Sequence, residues 1–262
     1  MDDGRIFTRN FVACCAVCFF LTLYFFMFFT GMTSYSEDRL GTDGTVAGIV
    51  TSAFILGDLA ARLYSGNRVD RWGKRRTVVA GTLLAAAATV PYYLTESVPV
   101  LAAVRVIQGF MYGCAGTAVA ASVVEGLPGH CRGRGIGYYS LSFTFASAIG
   151  PFLCISLMED GSYEGVFAVS VAFAVAAAAA SAFMDRGKED FADQPGKARG
   201  ISDFVEPGAI PLAMVAFLFF FSYSGILAFT SMYGEYLGLT EMAAFFFRTG
   251  SEASVTSITW EP

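Results

Sequence analysis

Residues 66–76 read GNRVDRWGKRR. Gly66 and Gly73 bracket the only acid, Asp70, and the stretch also carries Arg68, Arg71, Lys74, Arg75 and Arg76. Gly73 suits a tight turn and Gly66 a close helix contact, while the carboxylate of Asp70 can cap a helix start or pair with a neighbouring base. On both sides the chain turns apolar, from Val46 to Tyr64 before the stretch and from Thr77 to Leu94 after it. Apolar runs of about 20 residues cross the hydrocarbon core of a bilayer as helices. Residues 66–76 are therefore read as a charged loop joining two membrane spans.

Working outward, further apolar runs cover Val12 to Met32, Val98 to Val123, Gly137 to Leu157, Gly165 to Met184 and Ile210 to Tyr233. With the two flanking the loop, that makes seven expected spans. The composition agrees: 55% of the 262 residues are hydrophobic, 26 are Phe, and only 15% are charged, where a soluble domain has about 25% charged residues. The first run is too long for the core of a secretory signal, and no small-x-small cleavage site precedes Glu37, so it is read as a mature helix.

Basic residues set the expected orientation, because loops rich in Lys and Arg stay on the cytoplasmic side. Arg5 and Arg9, the 66–76 loop, Arg132 with Arg134, and Arg186, Lys188, Lys197 and Arg199 fall on one side. The alternate loops carry acids, among them Glu37, Asp38, Asp43, Glu96, Glu159, Asp160 and Glu164, with Arg39 as the exception. The amino terminus is expected inside, and seven crossings would leave the carboxyl terminus outside, in an inner or plasma membrane. The net charge of −5 averages two oppositely charged faces, so it implies no nucleic-acid partner.

Few groups suit metal or redox chemistry. Cys15 and Cys18 form a CxxC inside an apolar run, where partners and access are missing, and are read as packing residues. The single histidine, His130, lies in a loop beside Cys131 without a second ligand at metal spacing. Gly133 to Gly137, GRGIG, follows no strand and is read as the flexible start of the fifth helix, not as a phosphate loop. No cofactor or metal is expected. A membrane-embedded enzyme would need clustered His, Glu, Ser or Asp within helices, and a seven-helix receptor would have its amino terminus outside, so both are disfavoured.

The 66–76 loop resembles GxxxDRxGRR, the signature loop of the major facilitator superfamily, with Lys74 in place of an arginine. Two further segments resemble motifs of that family in the same order along the chain. Arg105 to Gly113, RVIQGFMYG, is similar to RxxQGxGxA. Ala146 to Pro151, ASAIGP, is similar to the GxxxGPxxGG of the antiporter branch, although Ala146 replaces the first glycine and Leu153 with Cys154 the last pair. The resemblance implies an all-α integral membrane fold, a six-helix amino-terminal bundle followed by a seventh helix. It also implies that Gly66, Asp70, Arg71, Gly73, Lys74 and Arg75 act as a gate latch and that Arg105 couples proton movement to transport.

Other polar groups stand on their own chemistry. An arginine within a span costs about 2.5 to 3.5 kcal/mol on insertion scales, so Arg105 should face the protein interior or snorkel toward a helix end. Gly150 and Pro151 permit a bend and close helix contact, and Gln108, Gly109, Gly113 and Gly116 are read as packing or close-contact positions. Asp58 and Arg62 stand one turn apart and are expected to form an embedded pair. Asn10, Tyr24, Tyr92, Tyr93 and Tyr223 are candidates to line a cavity.

After the sixth run, residues 185–206, DRGKEDFADQPGKARGISDFVE, read as a cytoplasmic linker. Residues 1–184 are then the six-helix bundle and 207–238 the seventh helix, the layout of a transporter built from two repeated halves. Residues 239–262 end as RTGSEASVTSITWEP, too polar for hydrocarbon; truncation or an out-of-frame end after Phe247 is expected, with the carboxyl-terminal half absent. The expected function is secondary transport of a small solute by alternating access, foremost proton-coupled efflux of drug-like or amphipathic compounds. Sugar or metabolite export, and a nonfunctional fragment, are the alternatives, with membrane lipids, solute and protons as partners.

Overall fold

The computed structural model describes residues 6–66, 68–95, 97–158, 163–185, 208 and 210–222, with the side chains of residues 70 and 71 outside that description. The chain divides into two compact units, 1–190 together with 252–262, and 191–251. Helices of the first unit are α1 (Arg9–Leu40), α2 (Gly44–Ser65), α3 (Val69–Trp72), α4 (Lys74–Ala87), α5 (Val98–Gly126), α6 (Arg132–Met158) and α7 (Tyr163–Ser181). Five segments, α1, α2, α5, the stretch Gly129–Met158 and α7, are long and apolar enough to cross a membrane. The second unit contributes α8 (Ile210–Ser222), a shorter apolar helix.

Local chemistry explains most of the helix ends. Thr8 caps α1, its hydroxyl accepting from Phe11 N at 3.2 Å, and Asp43 caps α2 through Val46 N at 2.9 Å. Gly41 closes α1 at φ 60°, a left-handed conformation that favours glycine. The expected third span, Thr77 to Leu94, is not one α-helix. Its α-helical part stops at Ala87, and the chain continues as a 3-10 turn over Val90–Tyr93, because Pro91 cannot donate a backbone hydrogen bond.

Contacts advance in the same direction along both helices, from Phe54 against Gly109 to Ala61 against Gly113, so α2 and α5 run parallel, and α1, α2, α4, α5, α6 and α7 form one helical bundle. Its core is built on α1, where Cys14, Val17, Tyr24, Met27, Phe28 and Met32 are all but inaccessible. Around it, α1 packs against α6 and α7, α2 against α5, and α4 against α5 and α7. The outward faces keep large apolar side chains exposed, as Ile55, Leu56, Leu59 and Leu63 do on α2. Such a face suits lipid contact rather than water.

The closest approach is between α2 and α5. A Cβ added at Gly57 would fall on the Val106 carbonyl and come within 2.8 Å of Phe110 N, and one at Gly109 would fall on the Phe54 carbonyl. At Gly113 it would lie 2.6 Å from the Asp58 carboxylate and 2.7 Å from Ala61 Cβ. Gly109 and Gly113, four residues apart, thus form a small-residue seam on which α2 lies backbone to backbone. Gly81 does the same between α4 and α5, 2.7 Å from Met111 O, and Gly150 sets α6 on α1, 2.7 Å from Phe26 Cβ.

Two glycine expectations are corrected. Gly116 is no close-contact position, since a Cβ there would meet nothing within 4 Å; it lies off the face that α2 covers. Gly135 is more than a flexible helix start, because a Cβ would collide with the Leu127 side chain, which folds back over it. Of the expected linker only Asp185 is described, its backbone N–H donating to Asn10 Oδ1 at 2.9 Å. The expected seventh helix is described over Ile210–Ser222, while Tyr223 and the 239–262 tail lie outside the described residues.

Replacing Gly57 or Gly109 with valine should lower stability by at least about 2 kcal/mol, the range of forced overpacking or beyond, whereas Gly116→Ala should change it by less than about 1 kcal/mol. Thermal unfolding in detergent, followed by the helical circular dichroism signal, distinguishes the two classes.

Candidate functional site

Two polar constellations lie in the bundle. The first surrounds Arg105, the largest side chain that is wholly buried, so it does not snorkel. The α2–α5 seam sets its position, because bringing α2 against Gly109 places the Thr51 carbonyl 3.4 Å from one terminal guanidinium nitrogen. The other donates to Gln108 Oε1, also at 3.4 Å. The ring faces of Phe54 and Phe28 lie 4.8 Å and 5.8 Å from the guanidinium carbon, within cation–π range. Arg105 Nε has no hydrogen-bond partner among the described residues, and none of its described partners is a carboxylate.

Gln108 is the hub of this group. Its Oε1 also accepts from the Tyr92 hydroxyl at 2.6 Å, and its Nε2 donates to Thr89 Oγ1 at 3.4 Å. Tyr92 reaches it because the 3-10 turn swings that ring inward, and the Tyr35 hydroxyl secures the turn by donating to the Tyr92 carbonyl at 2.8 Å. Tyr24, wholly buried in the same core, donates to the Ala85 carbonyl at 3.0 Å. Sequence reasoning ranked Gln108 with the packing residues and left Tyr35 out; a polar side chain one helical turn from a buried arginine was the signal for Gln108.

The second constellation lies at the other end of the bundle. Gly73 joins α3 to α4 at φ 83°, ψ 118°, a conformation that side chains with a Cβ resist. Its carbonyl accepts from Thr77 Oγ1 at 3.1 Å. Lys74 forms an ion pair with Glu125 near the end of α5, and Arg68 lies over the Tyr64 ring at 4.0 Å. Arg75 is half-buried, and Asp70 and Arg71 are carried by α3. A Cβ at Gly66 would meet only Arg62 O, at 3.3 Å, within its own helix, so the described residues give Gly66 no neighbouring helix to approach.

Asp58 and Arg62 pair along α2, with Arg62 Nε 3.0 Å from Oδ2 and 3.1 Å from Oδ1 of Asp58. The pair sits against Gly113, and half of the Arg62 side chain is exposed, which makes it an anchor on the seam more than an isolated charge pair. Pro151 lies inside α6 next to Gly150. The structure thus brings Arg105 together with Gln108, Thr89 and Tyr92, and Lys74 with Glu125. Among the described residues, it does not bring Arg105 to the loop, nor Gly150 and Pro151 to either constellation.

A bundle of apolar helices with glycine seams, a buried arginine and a charged loop between its second and third spans is the architecture of a helical multi-pass membrane protein of the secondary-transporter class. The chain belongs to the Major Facilitator Superfamily, whose profile matches residues 12–258. That membership makes it a transporter-family protein rather than an enzyme. It is 28% identical over 122 residues to an uncharacterized MFS-type transporter of Mycobacterium tuberculosis, covering 47% of this chain and 21% of the relative. To the staphylopine export protein of Staphylococcus aureus it is 27% identical over 134 residues, 51% of this chain and 33% of the relative. The fold is similar to that of the proton:xylose symporter XylE bound to 6-bromo-6-deoxy-D-glucose, with a TM-score of 0.55 and 15% identity over 68% of this chain and 45% of the symporter. The matched region thus spans about a fifth to a third of the length of these two curated relatives.

Gly73→Ala should cost about 1–2 kcal/mol from left-handed backbone strain, and Gln108→Leu about 1–3 kcal/mol, because Arg105 and the Tyr92 hydroxyl both lose a buried acceptor. Chemical unfolding of the two variants in detergent checks both values, and Tyr92→Phe should fall below Gln108→Leu.

Proposed function

We propose that this chain forms the first bundle of a proton-coupled exporter of drug-like, amphipathic compounds, working by alternating access with a second bundle. The observation that carries the reading is Arg105: a permanent positive charge wholly buried in a membrane bundle and held by neutral acceptors and aromatic faces. A fixed charge of this kind lowers the proton affinity of any carboxylate that approaches it. If a second bundle brings an acid toward Arg105 in one state and withdraws it in the other, proton release and uptake follow the conformational change. Coupling of this sort needs a differential interaction in the two states, which a buried charge with no carboxylate among its described partners supplies.

The other motifs take their places around this core. Residues 66–76 latch the cytoplasmic side: the turn at Gly73 is fixed, and Lys74 ties the loop to α5 through Glu125. Gly150 lets α6 lie against α1, and Pro151 weakens the helix ladder at the same level. Export is favoured by the partial antiporter-like ASAIGP segment and by similarity to a staphylopine export protein. The membrane is the inner or plasma membrane with the amino terminus inside, as the basic loops indicate. The bundle ends near residue 184, residues 185–206 link it to a second bundle, and 207–238 form that bundle's first helix.

The test is transport of ethidium by the reconstituted chain in proteoliposomes with and without an imposed pH gradient. Gradient-dependent movement should fall about 5- to 150-fold in Arg105→Ala, the range of a 1–3 kcal/mol coupling, while gradient-independent exchange is retained. Equal movement with and without the gradient would refute proton coupling. No ethidium movement by the folded chain, either alone or with a second bundle supplied in the same vesicles, would refute drug efflux.

A further inference from the structure

We propose that the cavity at the Leu40 end of the bundle, between α1, the Val90–Tyr93 turn and α7, binds a small zwitterion: a compact apolar body carrying one ammonium group and one carboxylate. The cavity is about 450 Å³, within the range of small-molecule sites. Among the described residues, neither Arg105 nor any residue of the 66–76 loop lines it; it shares Tyr92 with the Arg105 group but opens beside it.

Its wall is an aromatic shell assembled on Phe167. The ring of Phe167 lies 5.1 Å from Tyr35, 5.3 Å from Tyr92 and 5.6 Å from Tyr93. These contacts fix the ring faces before any ligand arrives, which limits the ordering cost of binding. Half of the Tyr93 surface is accessible, which leaves a mouth through which a solute can enter. Such a wall suits an apolar body, and ring faces attract an alkylated ammonium group in particular.

Charge selects the class. Arg39 and Glu164 line the same cavity with opposite signs, and among the described residues neither is in an ion pair. The adjacent acid Asp38 is engaged, accepting from the Tyr163 hydroxyl. A cation would be drawn to Glu164 and opposed by Arg39, and an anion would meet the reverse. A ligand with both groups is attracted at both ends, with its carboxylate on the planar guanidinium fork and its ammonium on Glu164 and the rings.

Binding there also bears on the core. Tyr92 lines the cavity with one part of its ring and donates to Gln108 with its hydroxyl, and Gln108 is an acceptor for Arg105. An occupant packed against Tyr92 therefore touches the same hydrogen-bonded group that holds the buried arginine.

The experiment uses the full chain in lipid nanodiscs and glycine betaine as the probe, with choline and propionate as its single-charge counterparts, read by saturation-transfer NMR and by calorimetric titration. Betaine is expected to bind more tightly than either counterpart. Arg39→Gln and Glu164→Gln should each weaken betaine by about tenfold, the loss of one charge-assisted contact, while Arg39→Lys, which keeps the charge but not the fork, should weaken it less than Arg39→Gln. Both positions are exposed, so helical content should match the parent chain. Absence of betaine binding to the unmodified chain would overturn the proposal. So would unchanged affinity in both neutral variants, or choline binding that equals betaine and tightens in Arg39→Gln. None of these measurements depends on ethidium transport, so failure here and failure of the efflux reading are separate results.

Discussion

Backbone contact between α2 and α5 is the constraint on which the rest of the bundle rests. Gly57 lies against Val106 and Phe110, and Gly109 against Phe54 and Asp58, with no room for a Cβ at either, and Gly113 continues the seam against Asp58 and Ala61. In a bilayer no hydrophobic force drives one apolar helix against another, so close packing must supply the attraction. The seam does so along the middle of both helices. It also determines where α4 sits, because Gly81 rests on the neighbouring face of the same α5.

From that seam the position of Arg105 follows. One helical turn before Gly109, its guanidinium reaches the Thr51 carbonyl only because α2 comes so near. A carbonyl inside a helix normally has its own backbone donor, and here it accepts a second bond, which suits an oxygen with two lone pairs. The other terminal nitrogen meets Gln108 and the guanidinium lies near two aromatic faces, while Nε has no hydrogen-bond partner among the described residues. The cost of burying the charge is thereby spread over several weak partners, none of them, among the described residues, an acid. Tyr92, Thr89 and Tyr35 extend the same network toward the far end of the bundle.

Much of this was legible in the sequence. Long apolar runs have no reading other than membrane helices, and the bracketing of Asp70 by Gly66 and Gly73 is specific enough to carry a family resemblance, so fold class and family came from local patterns. Asp58 with Arg62 was legible because helical spacing alone brings them together. The cost of lipid exposure left Arg105 either buried in the interior or snorkelling, and its partners were not legible, since Thr51 and Tyr92 lie 54 and 13 positions away and only the packed helices bring them near. Glycine roles depended on the face each occupies: Gly113 and Gly116 look equivalent in sequence, and three residues along a helix of 3.6 residues per turn sufficed to put one in the seam and the other outside it. The aromatic cavity was legible only in Tyr92 and Tyr93, candidates to line a cavity; Tyr35, Arg39, Glu164 and Phe167 join them from separated segments that share no motif.

The break at Ala87 has one more consequence. From Thr77, where the charged loop ends, the eleven α-helical residues to Ala87 reach about 16 Å, well short of a hydrocarbon core of about 30 Å. The four residues of Val90–Tyr93, rising about 2 Å each in the tighter coil, supply more than half of the difference. This segment thus acts as a ruler as well as a bracket. The turn that lets the third segment match the bilayer's thickness is the one that swings Tyr92 onto Gln108, so the depth of the membrane and the hydrogen bonding of the bundle's interior are set by the same four residues.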